Sequence, residues 1–147
     1  MKSILVSVLA LLVSLSAHAS PAAAVHDCGG LDSIGNLVGN VRSFAQGAIR
    51  VAHVSTEEPA AAPDHLLIFV AEEPMGAGCY AVSANADGHG FTSIEMSGLQ
   101  ATYDSDKGLL ISVPVYSYDP DKGSMPAGRV KVRISRKNNN NSVTIEK

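Results

Sequence analysis

Short apolar or alternating segments, each ended by turn-forming residues, follow one another along the chain from Ile49 onward. Strands of this length and spacing are typical of a mainly β protein, either a small antiparallel β-sandwich or a partly open β-barrel, here with a C-terminal meander. The continuous apolar run 65–71 is typical of a central strand that is covered on both faces. The predicted strands are 49–55, 65–71, 79–84, 91–96, 99–103, 109–118, 128–136 and 142–146.

A six-residue motif, Y-D-x-D-K-G, occurs twice, beginning at Tyr103 and at Tyr118. Its first aspartate can accept hydrogen bonds from the backbone ahead, and its glycine can adopt the left-handed conformation that closes a hairpin. We therefore predict two successive turns that end at Gly108 and Gly123. A helix-loop-helix calcium site needs the glycine one place later and a glutamate at the twelfth position, where both copies have valine. The motif therefore does not predict such a site.

The first 19 residues have the three parts of a secretory signal peptide. Lys2 supplies the positive charge, residues 4–15 are an uncharged apolar run, and residues 17–19 form a cleavage site of the A-x-A type. The run is shorter than the roughly 20 apolar residues of a membrane-spanning helix. The sequence thus predicts a periplasmic or secreted protein that keeps no membrane anchor after cleavage.

Cleavage after residue 19 leaves 128 residues, which is enough for one domain with its own core. Residues 20–30 are predicted to be a flexible N-terminal leader, and residues 31–147 a single β-rich domain. Apolar residues at helical spacing predict a short N-terminal helix over 31–39, although glycines at 35 and 39 disfavour it.

The chain has two cysteines, Cys28 and Cys79. In an exported protein, such a pair is most simply a disulfide. In the chain-entropy model, a bond that closes a loop of this length stabilises the fold by about 4 kcal/mol. We predict that this bond ties the N-terminal leader to the body of the domain.

Charge is divided unevenly along the chain. Residues 20–106 contain eleven acidic and two basic residues, whereas residues 107–147 contain three acidic and eight basic ones. The mature chain has a net charge of −4, because the signal peptide removes Lys2 from the full-length total of −3. A net negative charge argues against a general nucleic-acid binder.

The basic residues of the C-terminal half are concentrated on one predicted strand and the turn after it. Alternate positions of a strand face the same side and lie about 6.6 Å apart, which favours a stripe of positive charge. The stripe could bind an acidic surface, or it could protect a sheet edge against pairing with another molecule. The candidate binding residues are Arg129, Lys131, Arg133, Arg136 and Lys137.

The sequence contains no cofactor-binding loop in a suitable context, no close metal-ligand spacing and no nucleophile motif. We therefore expect a non-enzymatic domain without a cofactor or metal that binds a protein or an envelope polymer, in the manner of an inhibitor, an immunity protein or an accessory protein. The alternative is a small envelope hydrolase or metal-binding protein whose site combines distant residues. Clustering of His53, His65 and His89 with a carboxylate in a pocket would favour that alternative.

Overall fold

A computed structural model describes residues 22–29, 38–56, 62–72, 74, 76–137 and 140–147. The predicted signal peptide, both ends of the predicted leader and most of the predicted helix lie outside these residues. Within them, no helix is long and apolar enough to cross a membrane.

The described residues form ten strands in two antiparallel sheets, which confirms the predicted mainly β class and fits a β-sandwich or a partly open barrel. The first sheet has the order β1-β5-β4-β3-β2. Its strands are β1 (Ala24–Asp27), β2 (Val38–Phe44), β3 (Ile49–Ser55), β4 (Asp64–Ala71) and β5 (Ala77–Ser83).

The second sheet has the order β10-β9-β8, and the free side of β8 pairs with two further strands, β6 and β7. Its strands are β6 (Ser93–Ile94), β7 (Gln100–Asp104), β8 (Gly108–Tyr116), β9 (Ala127–Lys137) and β10 (Asn140–Glu146). Each strand predicted from residue 49 onward has a counterpart, and β3 has the predicted bounds. Only the strand predicted at 91–96 is much shorter, because Met96–Gly98 forms a 3-10 turn.

The main core lies between the two sheets and consists almost entirely of aliphatic side chains. Alternate residues of β8 and β9 face inward and are buried, as the period of two along a strand requires. A smaller cluster covers the outer face of the first sheet around the disulfide, with Leu67 and Val54 fully buried. The central strand β4 is therefore buried on both faces, as its continuous apolar run predicts.

The N-terminal segment differs from the sequence prediction. Residues 24–27 were predicted to belong to a flexible leader, but they form β1, which pairs with β5. The helix prediction is wrong at Val38 and Gly39, which begin β2. The sequence did not reveal this strand because four residues are too few to show an alternating pattern. Contacts with distant residues form it instead: β1 pairs with the edge of β5, and the Cys28–Cys79 disulfide lies next to it.

The two copies of the repeated motif form turns, as predicted. Gly108 and Gly123 have positive φ angles of 89° and 58°. The carboxylates of Asp104 and Asp119 accept backbone N–H groups two and three residues ahead, at 2.8 to 3.3 Å. The first turn joins β7 directly to β8, whereas the second lies inside the longer connection between β8 and β9.

Candidate functional site

On one side of the two sheets, the edge strands contact each other. There, β1 packs against β10, the edge strand of the second sheet. The opposite edges are β2 in the first sheet and β7 in the second. A cleft of about 190 Å³ lies between the sheets at one end of their strands, beside the β2–β3 turn, the β7–β8 turn and the end of β9.

The floor of the cleft is apolar and its rim is polar. Ile49, Leu109 and Ile134 line the floor, and all three belong to the main core. Tyr103 and a set of hydrophilic residues line the rim: Ser105, Ser135, Arg136 and Lys137. A cleft of this shape can accept an apolar side chain while its rim contacts polar or charged groups.

The β2–β3 turn brings Ala45 to the cleft. Ala45, Gln46 and Gly47 have φ angles of 50°, 57° and 90°, so two residues with side chains adopt the left-handed conformation. This conformation costs a non-glycine residue roughly 1–2 kcal/mol. Residues 45–48 form a four-residue connection between the paired residues Phe44 and Ile49, in which the N–H of Ala48 donates to the backbone oxygen of Ala45 at 3.1 Å.

Arg136 and Lys137 provide the positive charge of the cleft. Both side chains are exposed at the end of β9, where the strand extends beyond the core. Among the described residues, neither has a carboxylate within ion-pair distance. Their charges are thus available to an acidic ligand at low desolvation cost.

The other residues of the predicted basic stripe are engaged by the protein itself. Arg129 donates two hydrogen bonds to Ser112, at 2.8 and 2.9 Å, and one to the backbone oxygen of Gly98, at 3.1 Å. These bonds connect β9 to β8 and to the 3-10 turn between β6 and β7. The Nζ of Lys131 donates to the backbone oxygen of Lys147 at 2.8 Å.

Arg133 is also bound within the second sheet. Its Nε donates to the Glu146 carboxylate at 2.7 Å, and its Nη1 donates to the backbone oxygen of Gly108 at 3.2 Å. The hydrogen bond from Arg133 lowers the pKa of Glu146, and the same contact raises the pKa of the guanidinium. The five predicted binding residues therefore divide into three that make structural contacts and two that line the cleft.

The histidines lie near one end of the first sheet, but on different faces. His53 faces the main core, with Nε2 at 3.0 Å from the Asp64 carboxylate. That nitrogen makes no well-directed hydrogen bond to a described group, so the contact is electrostatic. His65 faces the outer side, where its Nδ1 lies 3.2 Å from the Ser83 hydroxyl. Burial lowers the pKa of His65, while Asp64 raises it and His26 lowers it less strongly.

These contacts do not assemble a metal site in the described part of the chain. No group of three or more histidine, cysteine, aspartate or glutamate side chains there is placed to hold an ion. His26 and His89 instead contact Asn85, through its backbone oxygen and its side-chain amide. His26 thus connects β1 to the β5–β6 connection, and His89 makes a contact within that connection.

The sequence did not single out the apolar floor of the cleft or its position between two turns. Ile49, Leu109 and Ile134 look like any other core residues in the sequence, and only the pairing of the strands brings them together. Tyr103 carried a signal as the first residue of the repeated motif, although the motif was interpreted only as a turn.

Comparison with known proteins gives no relative: no family model, no curated protein and no solved structure matches the chain.

Proposed function

We propose that this protein is an exported, non-enzymatic domain that binds an acidic partner protein through the cleft and its basic rim. The observation that carries the proposal is the combination of an apolar floor with two exposed cations, Arg136 and Lys137, in a cleft at one end of the two sheets. Buried apolar contact supplies affinity in such interfaces, and charge at the rim supplies orientation and partner choice. An inhibitor, an immunity protein or an envelope accessory protein would use such a surface.

Export to the periplasm or outside the cell is part of the proposal. The Cys28–Cys79 disulfide supports it, because such bonds persist in oxidising compartments and are rare in the cytosol. The signal-like features of residues 1–19 point to the same route.

A hydrolytic function is the second candidate, and the contact between His65 and Ser83 is the observation in its favour. Both side chains are buried, however, with relative exposures of 6% and 2%. A nucleophilic hydroxyl must reach the substrate, and Ser83 faces the packed outer cluster of the first sheet instead. The contact is better explained as a hydrogen bond that satisfies two buried polar groups.

Site-specific cross-linking in the native host tests the binding proposal. A photoreactive phenylalanine analogue is placed at Tyr103, on the cleft, or at Tyr118, the equivalent residue of the other motif copy, which is also exposed. We expect one discrete protein adduct from position 103 that disappears when Arg136 and Lys137 are both changed to Gln. Equal adducts from both positions, or an adduct with an uncharged polymer, would contradict the proposal.

A further inference from the structure

The sheet edges of this protein differ in how they are protected. Sheet edges carry unpaired backbone groups, and proteins usually guard them with bulges, charged side chains, proline or a covering segment. The edges β1 and β10 pack against each other. The edge β2 has a shift in register between Val38 and Val41 and carries an exposed Arg42.

Besides the two-residue β6, the remaining edge is β7, whose one charged residue, Asp104, lies at its end and is turned toward the backbone of the β7–β8 turn. The five residues of β7 pair in unbroken register with β8, and they include no lysine, arginine or proline. Among the described residues β7 pairs with β8 alone, so the backbone groups on its other side face outward. All five of its side chains are exposed, and Tyr103 has a relative exposure of 74%. A segment of this length spans about 17 Å.

One of the two β7 side chains that face inward lies at the cleft. Ala101 and Tyr103 are paired with Ile111 and Leu109, whose side chains belong to the core between the sheets. Ala101 and Tyr103 therefore lie on the inner face of the second sheet, but the first sheet does not bury them. Tyr103 lines the cleft directly.

We propose that β7 is a docking edge, to which an extended, acidic segment of a partner protein adds as a further strand of the second sheet. This inference rests on the proposed binding function and specifies the form in which the partner is recognised. The added strand would lie about 4.8 Å from β7, on the side of β7 away from β8. Its alternate side chains would face the cleft, whose volume suits one or two side chains rather than a folded surface.

Charge complementarity selects an acidic segment. Among the described residues that line the cleft, Arg136 and Lys137 are the only charged ones. The nearby carboxylate of Asp104 is turned toward the backbone N–H groups of its own turn. An extended peptide with apolar residues facing the cleft and carboxylates at its end near Arg136 would satisfy both features.

Binding of a defined peptide to the full, oxidised domain tests the inference. The probe is the blocked heptapeptide Glu-Glu-Val-Ser-Val-Glu-Glu, whose two valines share one face of a strand and whose carboxylates lie at its ends. Binding is followed by the chemical shifts and hydrogen exchange of the β7 amides. We expect saturable binding, with slower exchange of alternate β7 amides. Methylation of one alternate set of peptide nitrogens should weaken binding at least tenfold, and methylation of the other set should not, because only one set faces β7 in a paired strand.

Variants of the protein add a second criterion. Tyr103→Asp places a negative charge where the acidic segment would lie and should weaken binding at least tenfold, whereas the matched Tyr118→Asp change should leave it unaltered. The double change of Arg136 and Lys137 to Gln should also weaken binding and reduce its salt dependence. The control is the double change of Arg50 and Lys122 to Gln, which removes the same amount of charge away from the cleft.

The outcomes separate the two levels of the proposal. If both methylated peptides bind equally, while the Arg136 and Lys137 variant still loses binding, the edge inference is overturned and the acidic-partner function stands. If no variant alters peptide binding, or no binding is detected at millimolar peptide, both are overturned. Pairing of β7 with a second copy of this chain would also overturn the inference.

Discussion

Replacement of Gly108 by alanine tests whether the first turn of the repeated motif is as constrained as the structure indicates. Gly108 has a φ of +89°, and a Cβ added there would overlap the backbone oxygen of Ile134 and lie 3.0 Å from the Cα of Ser135. Neither atom can move away by a side-chain rotation, because both belong to the backbone of β9. The substitution therefore strains both the turn and the adjoining strand.

The second copy of the motif provides an internal control for the size of this effect. Gly123 has a φ of +58°, and no atom lies within 4 Å of an added Cβ. Gly123→Ala should therefore lose only the left-handed conformational term, about 1 kcal/mol. Gly108→Ala should lose that term plus an overpacking term of about 1–3 kcal/mol, so its total should be about 2–4 kcal/mol.

Urea unfolding of the oxidised protein at neutral pH measures both changes directly as differences in the free energy of unfolding. We expect the loss at Gly108 to exceed the loss at Gly123 by at least 1 kcal/mol. Equal losses at the two positions would show that contact with β9 does not constrain Gly108. A loss at Gly123 but none at Gly108 would refute the assignment of the β7–β8 turn itself.

Three further predictions concern the disulfide, Arg129 and the buried histidine. Changing Cys28 and Cys79 together to Ala should lower the free energy of unfolding by about 4 kcal/mol, as measured by urea unfolding, and a loss below about 1 kcal/mol would contradict the loop-closure argument. Arg129→Gln should destabilise by about 1 kcal/mol in the same assay, because three hydrogen bonds are lost, whereas Arg136→Gln should be neutral. Since burial lowers the pKa of His65 below its unfolded value of about 6.5, the unfolded chain gains a proton first, so the melting temperature should fall between pH 7.5 and pH 5.5. His65→Gln should reduce that fall; an unchanged pH dependence would exclude this cause.

The strand pattern of the C-terminal two thirds could be predicted because side-chain alternation and turn chemistry are local. Asp104 and Gly108 specify their turn within five residues, and both act as the motif indicates. The strand β4 could be assigned to the centre of a sheet from its apolar run alone. These elements are determined by residues close together in the sequence.

The N-terminal strand and the cleft could not be predicted because they depend on contacts between distant residues. The four residues of β1 have no alternation long enough to recognise, and their partner strand lies more than fifty residues later. The interactions of Arg129 with Gly98 and Ser112 likewise depend on which strands are neighbours. A basic stripe in the sequence does not reveal which of its charges the protein uses for its own contacts.

The position of the disulfide also determines what happens when the first sheet frays. A short terminal strand has few backbone hydrogen bonds, so we expect β1 to be the first part of this sheet to open. Because Cys28 immediately follows β1 and is bonded to Cys79 on the neighbouring strand, the detached segment remains at a high effective concentration beside its partner. β1 then pairs again with β5 of its own molecule faster than it pairs with β5 of another molecule. The disulfide would thus prevent two molecules from exchanging their β1 strands, even while β1 opens and closes.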